Sequence, residues 1–186
     1  MKNVLLVLSG PSGVGKGTVA EKLCEKNKGV ELSISCTTRK KRVGEIEGVH
    51  YFFISKEDFK KKIEENGFLE YSKHFENYYG TPKDFVLKKL EKSDVLLEID
   101  VNGGLNVKKE FPETVLVMIL PPSMEELKNR LINRHTETEE QIEIRLERIK
   151  YELDKQSLYD YVVINNSVEQ TVKEIEEIII KEKNKK

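Results

Sequence analysis

Hydrophobic residues occur along the chain as short unbroken runs, each closed by polar or turn-forming residues. These runs predict strands at residues 4–8, 51–54, 95–99, 115–120 and 161–164. Apolar residues at helical spacing and Ser-led capping sequences predict helices at about residues 16–26, from 55, from 123 towards 131, at about 138–153 and from 167. The alternation predicts an open parallel α/β sheet, in which ligands bind beyond the carboxyl ends of the strands.

The 186-residue chain has the size and composition of one globular domain, since 38% of its residues are hydrophobic and 35% are charged. Its 32 Lys and Arg residues balance 33 Asp and Glu residues, which argues against a general nucleic-acid binder. Cys24 and Cys36 have no paired spacing, which favours a reducing compartment over a disulfide framework or zinc site. The first apolar run is too short for a signal peptide or a membrane span, so we expect a cytoplasmic protein with no membrane partner.

A glycine-rich loop follows the first predicted strand and opens the first predicted helix. It consists of Gly10, Pro11, Ser12, Gly13, Val14, Gly15, Lys16, Gly17 and Thr18. The backbone N–H groups of such a loop and the positive end of the helix surround phosphate oxygens, and Lys16 neutralises the β- and γ-phosphates. The loop therefore predicts a site for a nucleoside triphosphate, without saying which one. Gly17 stands where a Ser or Thr is usual and Thr18 carries the hydroxyl, so we expect Mg²⁺ to be held largely by phosphates and water.

A second segment, residues 33–52, has the pattern S-x-S-x-T-T-R-x-x-R-x-G-E-x-x-G-x-x-Y. It closely resembles the GMP-binding segment of guanylate kinases, which are P-loop nucleoside monophosphate kinases. The resemblance continues in the expected order through Glu70, residues 77–81, Glu98, Asp100, Arg130, Arg134, Arg145 and residues 160–165. It thus covers essentially the whole chain.

The resemblance implies a fold, a reaction and its partners. We expect a P-loop NTPase-type three-layer α/β fold, with a core of residues 1–34, 93–129 and 151–186, a GMP-binding insertion of residues 35–92 and a lid of residues 130–150. We expect an enzyme of purine nucleotide metabolism that transfers the γ-phosphoryl group of ATP to GMP, and also to dGMP, with Mg²⁺ as cofactor. The oligomeric state and the preference between GMP and dGMP stay open.

Arg39, Arg42, Tyr51 and Tyr79 are implied to hold the GMP phosphate. Guanidinium groups suit this task because they form paired, charge-assisted hydrogen bonds of fixed geometry. The alternative for the basic run is a solvated loop. Thr81 is implied to contact GMP as well, but with a proline after it, it also suits the N-cap of a helix.

Glu70 and Ser35 are implied to recognise the guanine base. Guanine presents N1–H and an exocyclic amine as adjacent donors, which a carboxylate accepts together, whereas adenine has an acceptor at N1. The alternative for Glu70 is a surface carboxylate. Glu98 and Asp100 are implied to border GMP, and Asp100 is also a candidate magnesium ligand or a turn residue after the strand.

The lid arginines are implied to close over the phosphates during transfer. Arg130 and Arg134 are assigned to ATP and Arg145 to GMP, and His135 stands where relatives have glycine. The catalytic set implied is Lys16, Arg39, Arg134 and Arg145. Asn165 is implied to border the adenine of ATP, although Asn also suits the turn before a helix.

Three other functions compete with this interpretation. Guanylate-kinase-like domains without catalysis bind phosphopeptides, but they typically lack the working loop that Gly15, Lys16 and Thr18 complete here. A kinase for another monophosphate would use the same arginines, so only Glu70 and Ser35 argue against it. A GTPase-like switch would need an Asn-Lys-x-Asp string, which the chain lacks.

Overall fold

The computed structural model describes residues 2–74, 76–132 and 147–185, and leaves the side chains of 129–132 undescribed. In chain order the strands are β1 Leu5–Ser9, β2 Val30–Leu32, β3 Cys36–Thr37, β4 Phe52–Phe53, β5 Phe68–His74, β6 Asn77–Pro82, β7 Asp94–Glu98, β8 Val115–Leu120 and β9 Tyr161–Ile164. The helices are α1 Lys16–Lys26, α2 Lys56–Glu64, α3 Lys83–Leu90, α4 Val101–Glu110, α5 Met124–Ile132, a helical segment α6 at residues 147–153, and α7 Val168–Asn184.

The main sheet consists of five parallel strands in the order β2-β7-β1-β8-β9. Its apolar runs are continuous because helices cover both faces. Leu6 and Leu8 of β1 join a core cluster with Leu23 of α1, whereas Val7 joins a second cluster with Val107 of α4. The parallel α/β sheet predicted from the sequence is therefore confirmed.

A second sheet, in the order β4-β3-β6-β5, carries residues between β2 and β7. Its strands β5 and β6 form an antiparallel hairpin, and it packs on α2 through its own core of Cys36, Phe59 and Phe68. The rings of Phe59 and Phe68 stack with their centroids 4.4 Å apart. Of this sheet the sequence predicted only the strand around residues 51–54.

The predicted caps of the helices have mixed outcomes. Ser55, Ser123 and Ser167 each accept a hydrogen bond from the backbone N–H three residues ahead, as expected of N-caps. The prediction that Thr81 caps a helix is wrong, because β6 runs on through Pro82 and α3 begins at Lys83. Of the helix predicted at about 138–153, residues 147–153 are helical and the rest lies outside the described residues.

The C-terminal helix α7 is fastened to the start of the main sheet by a buried carboxylate. Asp94 is 3% exposed, and its Oδ1 accepts the backbone N–H of Val4 at 2.9 Å while its Oδ2 pairs with Lys183 Nζ at 2.7 Å. One side chain thus joins β1, β7 and α7. No helix within the described ranges is both long enough and apolar enough to span a membrane.

We expect Asp94→Ala to lower the free energy of unfolding by about 3 kcal/mol, because it removes a buried charge partner and leaves the Val4 N–H without its acceptor. Glu113→Ala is the matched control. It removes the partner of Lys2 in an ion pair whose side chains are both more than 60% exposed, and it should cost less than about 1 kcal/mol. Urea denaturation of both variants checks this, and equal losses would contradict it.

Candidate active site

The glycine-rich loop lies at the carboxyl edge of the main sheet, between β1 and α1. Gly10 sits against β8 so closely that a Cβ there would lie 2.2 Å from the carbonyl oxygen of Ile119, so only glycine fits. Gly15 has a φ of +99° and precedes α1, whose first turn contains no acidic residue. The positive end of α1 therefore stays available for an anion.

Lys16 bends back over this loop. Its Nζ donates hydrogen bonds to the carbonyl oxygens of Gly10 at 2.6 Å and Pro11 at 3.2 Å. Lys16 thus lines the cavity beside the loop, and Thr18 is exposed to solvent in the first turn of α1.

Asn165 supports the loop from behind. The side chain is 4% exposed; its Nδ2 donates to the carbonyl oxygen of Val14 at 2.8 Å and its Oδ1 accepts from Thr171 Oγ1 at 3.0 Å. The same Nδ2 lies 2.9 Å from where a Cβ on Gly15 would be. These contacts tie the loop to α7, and the predicted contact of Asn165 with adenine stays a prediction.

Two cavities adjoin at the end of β7. We call the first, of about 450 Å³, the loop cavity, because Gly10, Ser12 and Lys16 line it. The second, of about 480 Å³, lies against the second sheet, and we call it the insertion cavity. Both are lined by His74, Glu98, Ile99 and Asp100. Ligands in the two cavities would therefore meet at this shared wall.

One end of the insertion cavity is cationic. Arg39 forms a two-pronged pair with Glu45, at 2.7 and 3.0 Å, and its guanidinium lies 5.5 Å from the ring centre of Tyr51. The pairing with Arg39 lowers the pKa of Glu45 to about 2. Arg42 and Tyr79 line the same cavity. The four residues predicted to hold a phosphate are thus together, and Arg39 is held in orientation rather than solvated.

The other end of the insertion cavity holds a buried carboxylate. Glu70 is 8% exposed, and its Oε1 accepts a hydrogen bond of 2.7 Å from Thr81 Oγ1. Burial raises the pKa of Glu70 to about 7. Ser35 lines the same cavity. The alternative of a surface carboxylate is therefore wrong.

Asp100 occupies the wall between the cavities and caps helix α4. Its Oδ1 accepts the backbone N–H of Gly103 at 2.8 Å, while its Oδ2 lies 3.4 Å from His74 Nε2 and 3.7 Å from an Arg148 nitrogen. Although burial opposes it, the contacts with His74 and Gly103 lower the pKa of Asp100. Glu98 lies two residues before Asp100 in the chain. Its two carboxylate oxygens lie beside Gly17 at the start of α1, each 3.7 Å from where a Cβ on Gly17 would be.

The site contains residues that the sequence analysis missed. Ser72 and His74 line the insertion cavity beside Glu70, and Arg148 and Glu152 line the loop cavity, where Arg148 Nε donates to Glu152 Oε1 at 3.1 Å. Alternation along β5 would have revealed Ser72 and His74, had that strand been recognised.

Most of the predicted lid residues lie outside the part of the chain that the structure describes. Arg134, His135 and Arg145 lie outside the described residues, and Arg130 is described only as part of the backbone of α5. Their predicted closure over the phosphates stays a prediction.

The oxygen donors near the loop suit a weakly held magnesium ion. Among the described residues, no cluster of three or more His, Cys, Asp or Glu side chains comes together that could hold a metal. The oxygen donors at or beside the loop cavity are the hydroxyls of Ser12 and Thr18 and the carboxylates of Glu98, Asp100 and Glu152, of which the last two already contact Arg148. So few protein ligands fit Mg²⁺, which keeps several waters and takes its other ligands from phosphates.

Comparisons with known proteins agree on one family. The family model described as guanylate kinase matches residues 2–182. The guanylate kinase of Caldanaerobacter subterraneus subsp. tengcongensis is 55% identical over 98% of this chain and 89% of its own length, and that of Clostridioides difficile is 51% identical over 99% and 90%. The crystal structure of guanylate kinase from Anaplasma phagocytophilum matches with a TM-score of 0.78 and 34% identity, over 97% of this chain and 86% of that one.

We expect the buried carboxylate to make stability depend on pH. Because the pKa of Glu70 rises from 4.5 to about 7 on folding, the folded chain keeps a proton that the unfolded chain releases between these pH values. The free energy of unfolding of the wild-type protein, relative to Glu70→Gln, should therefore fall by roughly 3 kcal/mol between about pH 4.5 and pH 7 and then level off. Denaturation across pH 4–8 checks this; a difference independent of pH would contradict it.

Proposed function

The chain belongs to the guanylate kinase family, and from that premise we propose that ATP occupies the loop cavity and GMP the insertion cavity. The protein is an enzyme that transfers a phosphoryl group from ATP to GMP, as its curated relatives do. The observation that supports this placement is the wall of His74, Glu98, Ile99 and Asp100 that both cavities share. Transfer requires the acceptor phosphate beside the γ-phosphate, and adjoining cavities hold the two in that relation.

On the ATP side, the loop residues 10–18 present backbone N–H groups to the phosphates. Lys16 leaves the carbonyl oxygens of Gly10 and Pro11 and neutralises the β- and γ-phosphates. Mg²⁺, once bound, would offset the negative charge that develops on the transferring group. Thr18 and Glu98 would hold the ion, whereas the existing contacts of Asp100 with Gly103 and His74 favour a role towards GMP, with any contact to the metal made through water.

On the GMP side, Arg39, Arg42, Tyr51 and Tyr79 bind the phosphate. Arg39 arrives already oriented by Glu45, so little side-chain entropy is lost on binding. Although both its terminal nitrogens already pair with Glu45, Arg39 lines the cavity together with Arg42, Tyr51 and Tyr79. The reacting phosphate oxygen is thereby directed at the shared wall, where the γ-phosphate lies.

The guanine edge faces the buried carboxylates. Glu70 accepts N1–H and one amine hydrogen, Asp100 accepts the other amine hydrogen, and Ser35 adds a hydroxyl. Both carboxylates converge on Gly103: a Cβ there would lie 2.9 Å from Glu70 Oε2 and 3.5 Å from Asp100 Oδ1. Thr81 acts by orienting Glu70 through its hydrogen bond. AMP leaves these groups unpaired and is rejected.

The chain works as one domain in three parts: a core of residues 1–34, 93–129 and 151–186, an insertion of residues 35–92 and a lid of residues 130–150. Arg130, Arg134 and Arg145 close over the phosphates and, with Lys16 and Arg39, stabilise the transferring group. Closure excludes water and so prevents hydrolysis of ATP. Free cysteines at 24 and 36 suit a cytoplasmic location.

We expect ADP release, measured with ATP and Mg²⁺ in a coupled assay, to be rapid with GMP and at least 100-fold slower with AMP, CMP or UMP. Glu70→Gln should lower kcat/KM for GMP by at least 100-fold and leave the KM for ATP within threefold, because the amide cannot accept both donors. Glu64→Gln, an exposed change on α2, is the control. Equal rates with several acceptors would contradict the guanine-specific site.

We expect Lys16→Ala to lower kcat by about 1000-fold or more, since the cation stabilises charge on the transferring group. GMP binding, measured by calorimetry, should stay within threefold of wild type because the insertion cavity is untouched. Lys22→Ala, further along α1 and exposed, should leave kcat unchanged. Loss of GMP binding together with turnover would show instead that the substitution disrupts the fold.

A further inference from the structure

Three polar side chains that line the insertion cavity, Ser72, His74 and Asn77, are used by neither the phosphate nor the guanine edge, and two of them lie on β5. Glu70, Ser72 and His74 alternate along β5 and all three line the cavity, so they share one face of the strand. Same-face residues follow one another about 7 Å apart. Ser72 and His74 are thus the next two positions beyond the residue proposed to recognise guanine.

The sheet places these two residues beside the ribose of a bound GMP. In the hairpin, Ser72 pairs with Tyr79, which belongs to the proposed phosphate site, and His74 pairs with Asn77. The guanine edge lies at Glu70 and the phosphate at Arg39 and Tyr79, so the sugar must lie between them. Ser72 lies on this stretch of β5, between Glu70 and the position beyond Tyr79, and His74 is linked back to it by their hydrogen bond; both side chains line the cavity.

The imidazole is already positioned in the absence of nucleotide. Ser72 Oγ and His74 Nε2 share a hydrogen bond of 3.0 Å, and the same nitrogen lies 3.4 Å from Asp100 Oδ2. The ring also packs edge-on against Tyr79, with centroids 5.7 Å apart. The His74 side chain is nevertheless 32% exposed, so a ligand can reach it. Pre-positioned groups lose little conformational entropy when they bind.

We propose that Ser72 and His74 bind the ribose 2′-hydroxyl of GMP and make the enzyme prefer GMP to dGMP. The 2′ position neighbours the carbon that carries the base, so it is the hydroxyl nearest the end of the cavity where Glu70 and Ser72 lie. A hydroxyl both donates and accepts, which matches the Ser72 hydroxyl and either tautomer of the imidazole. This inference rests on the proposed placement of GMP in the insertion cavity.

If His74 acted only by positioning Asp100, its replacement would affect the two acceptors in a different way. Asp100 is proposed to accept from the guanine amine, which GMP and dGMP share. Loss of a positioning contact on Asp100 would therefore weaken both acceptors equally. Comparison of the two acceptors separates a ribose contact from a structural role.

The test uses Ser72→Ala and His74→Phe, the second of which keeps a ring against Tyr79. Wild-type kcat/KM at saturating ATP should be at least about threefold higher for GMP than for dGMP. Each variant should lower kcat/KM for GMP by about 2- to 10-fold, the effect of one neutral hydrogen bond, and leave dGMP within twofold. The double variant should have the same kcat/KM for GMP as for dGMP. Lys73→Ala is the control, because the Lys73 side chain lies between Ser72 and His74 on β5 and is exposed. It should leave kcat/KM unchanged for both GMP and dGMP.

Calorimetric binding of GMP and dGMP to the same variants should show the same differences in Kd. If the variants lower kcat/KM equally for GMP and dGMP, or if the wild-type enzyme does not prefer GMP to dGMP, this inference is wrong. The proposal that the enzyme phosphorylates GMP would still stand. A folded wild-type protein that phosphorylates neither acceptor would overturn the proposed function as well. If His74→Phe fails to fold, Ser72→Ala decides alone, because it removes only a hydroxyl.

Discussion

The parallel pairing of β1 with β7 determines where the rest of the site lies. Leu8 pairs with Glu98, so the glycine-rich loop after β1 and the carboxylates after β7 emerge side by side. Ser9 secures this arrangement by donating to the carbonyl oxygens of Ile99 at 3.0 Å and Asp100 at 3.3 Å. A slip of one residue in this register would exchange the side chains that β1 presents to its two core clusters and move the loop away from the wall that both cavities share.

Three charged groups of the site, those of Arg39, Lys16 and Asp100, already have polar partners before any nucleotide binds. Arg39 faces Glu45, Lys16 faces two carbonyl oxygens, and Asp100 lies between His74 and Arg148. In the proposed binding mode Glu45 keeps Arg39 in place while a phosphate binds, and only Lys16 exchanges its two carbonyl oxygens for phosphate oxygens. This arrangement reduces the reorganisation that must accompany binding, and electrostatic catalysis depends on such preorganisation.

Much of the main sheet was predictable from the sequence because its strands are buried on both faces and read as apolar runs, such as residues 115–120. The loop was predictable because its glycines and Lys16 are contiguous. The second sheet was not, since strands such as β5 mix Glu70, Ser72 and His74 with apolar residues and are stabilised by partners distant in sequence. The same reason explains the error at Thr81, whose hydroxyl bonds to Glu70 across the hairpin instead of capping α3. The resemblance to a family placed Glu70 in the site, but only the pairing of β5 with β6 brings out Ser72 and His74 beside it.

The second sheet is held by a small core of its own, centred on Cys36, Phe59 and Phe68, apart from the two larger clusters of the main sheet. Regions with few buried apolar contacts open locally at a lower free energy than the global unfolding of a protein. Much of the proposed acceptor site thus lies in a region that we expect to open at a lower free energy than the strands that carry the glycine-rich loop, although Leu69, next to Glu70, anchors β5 in a main-sheet cluster. Sequence changes in that region can alter acceptor choice with little effect on the structure that binds the donor.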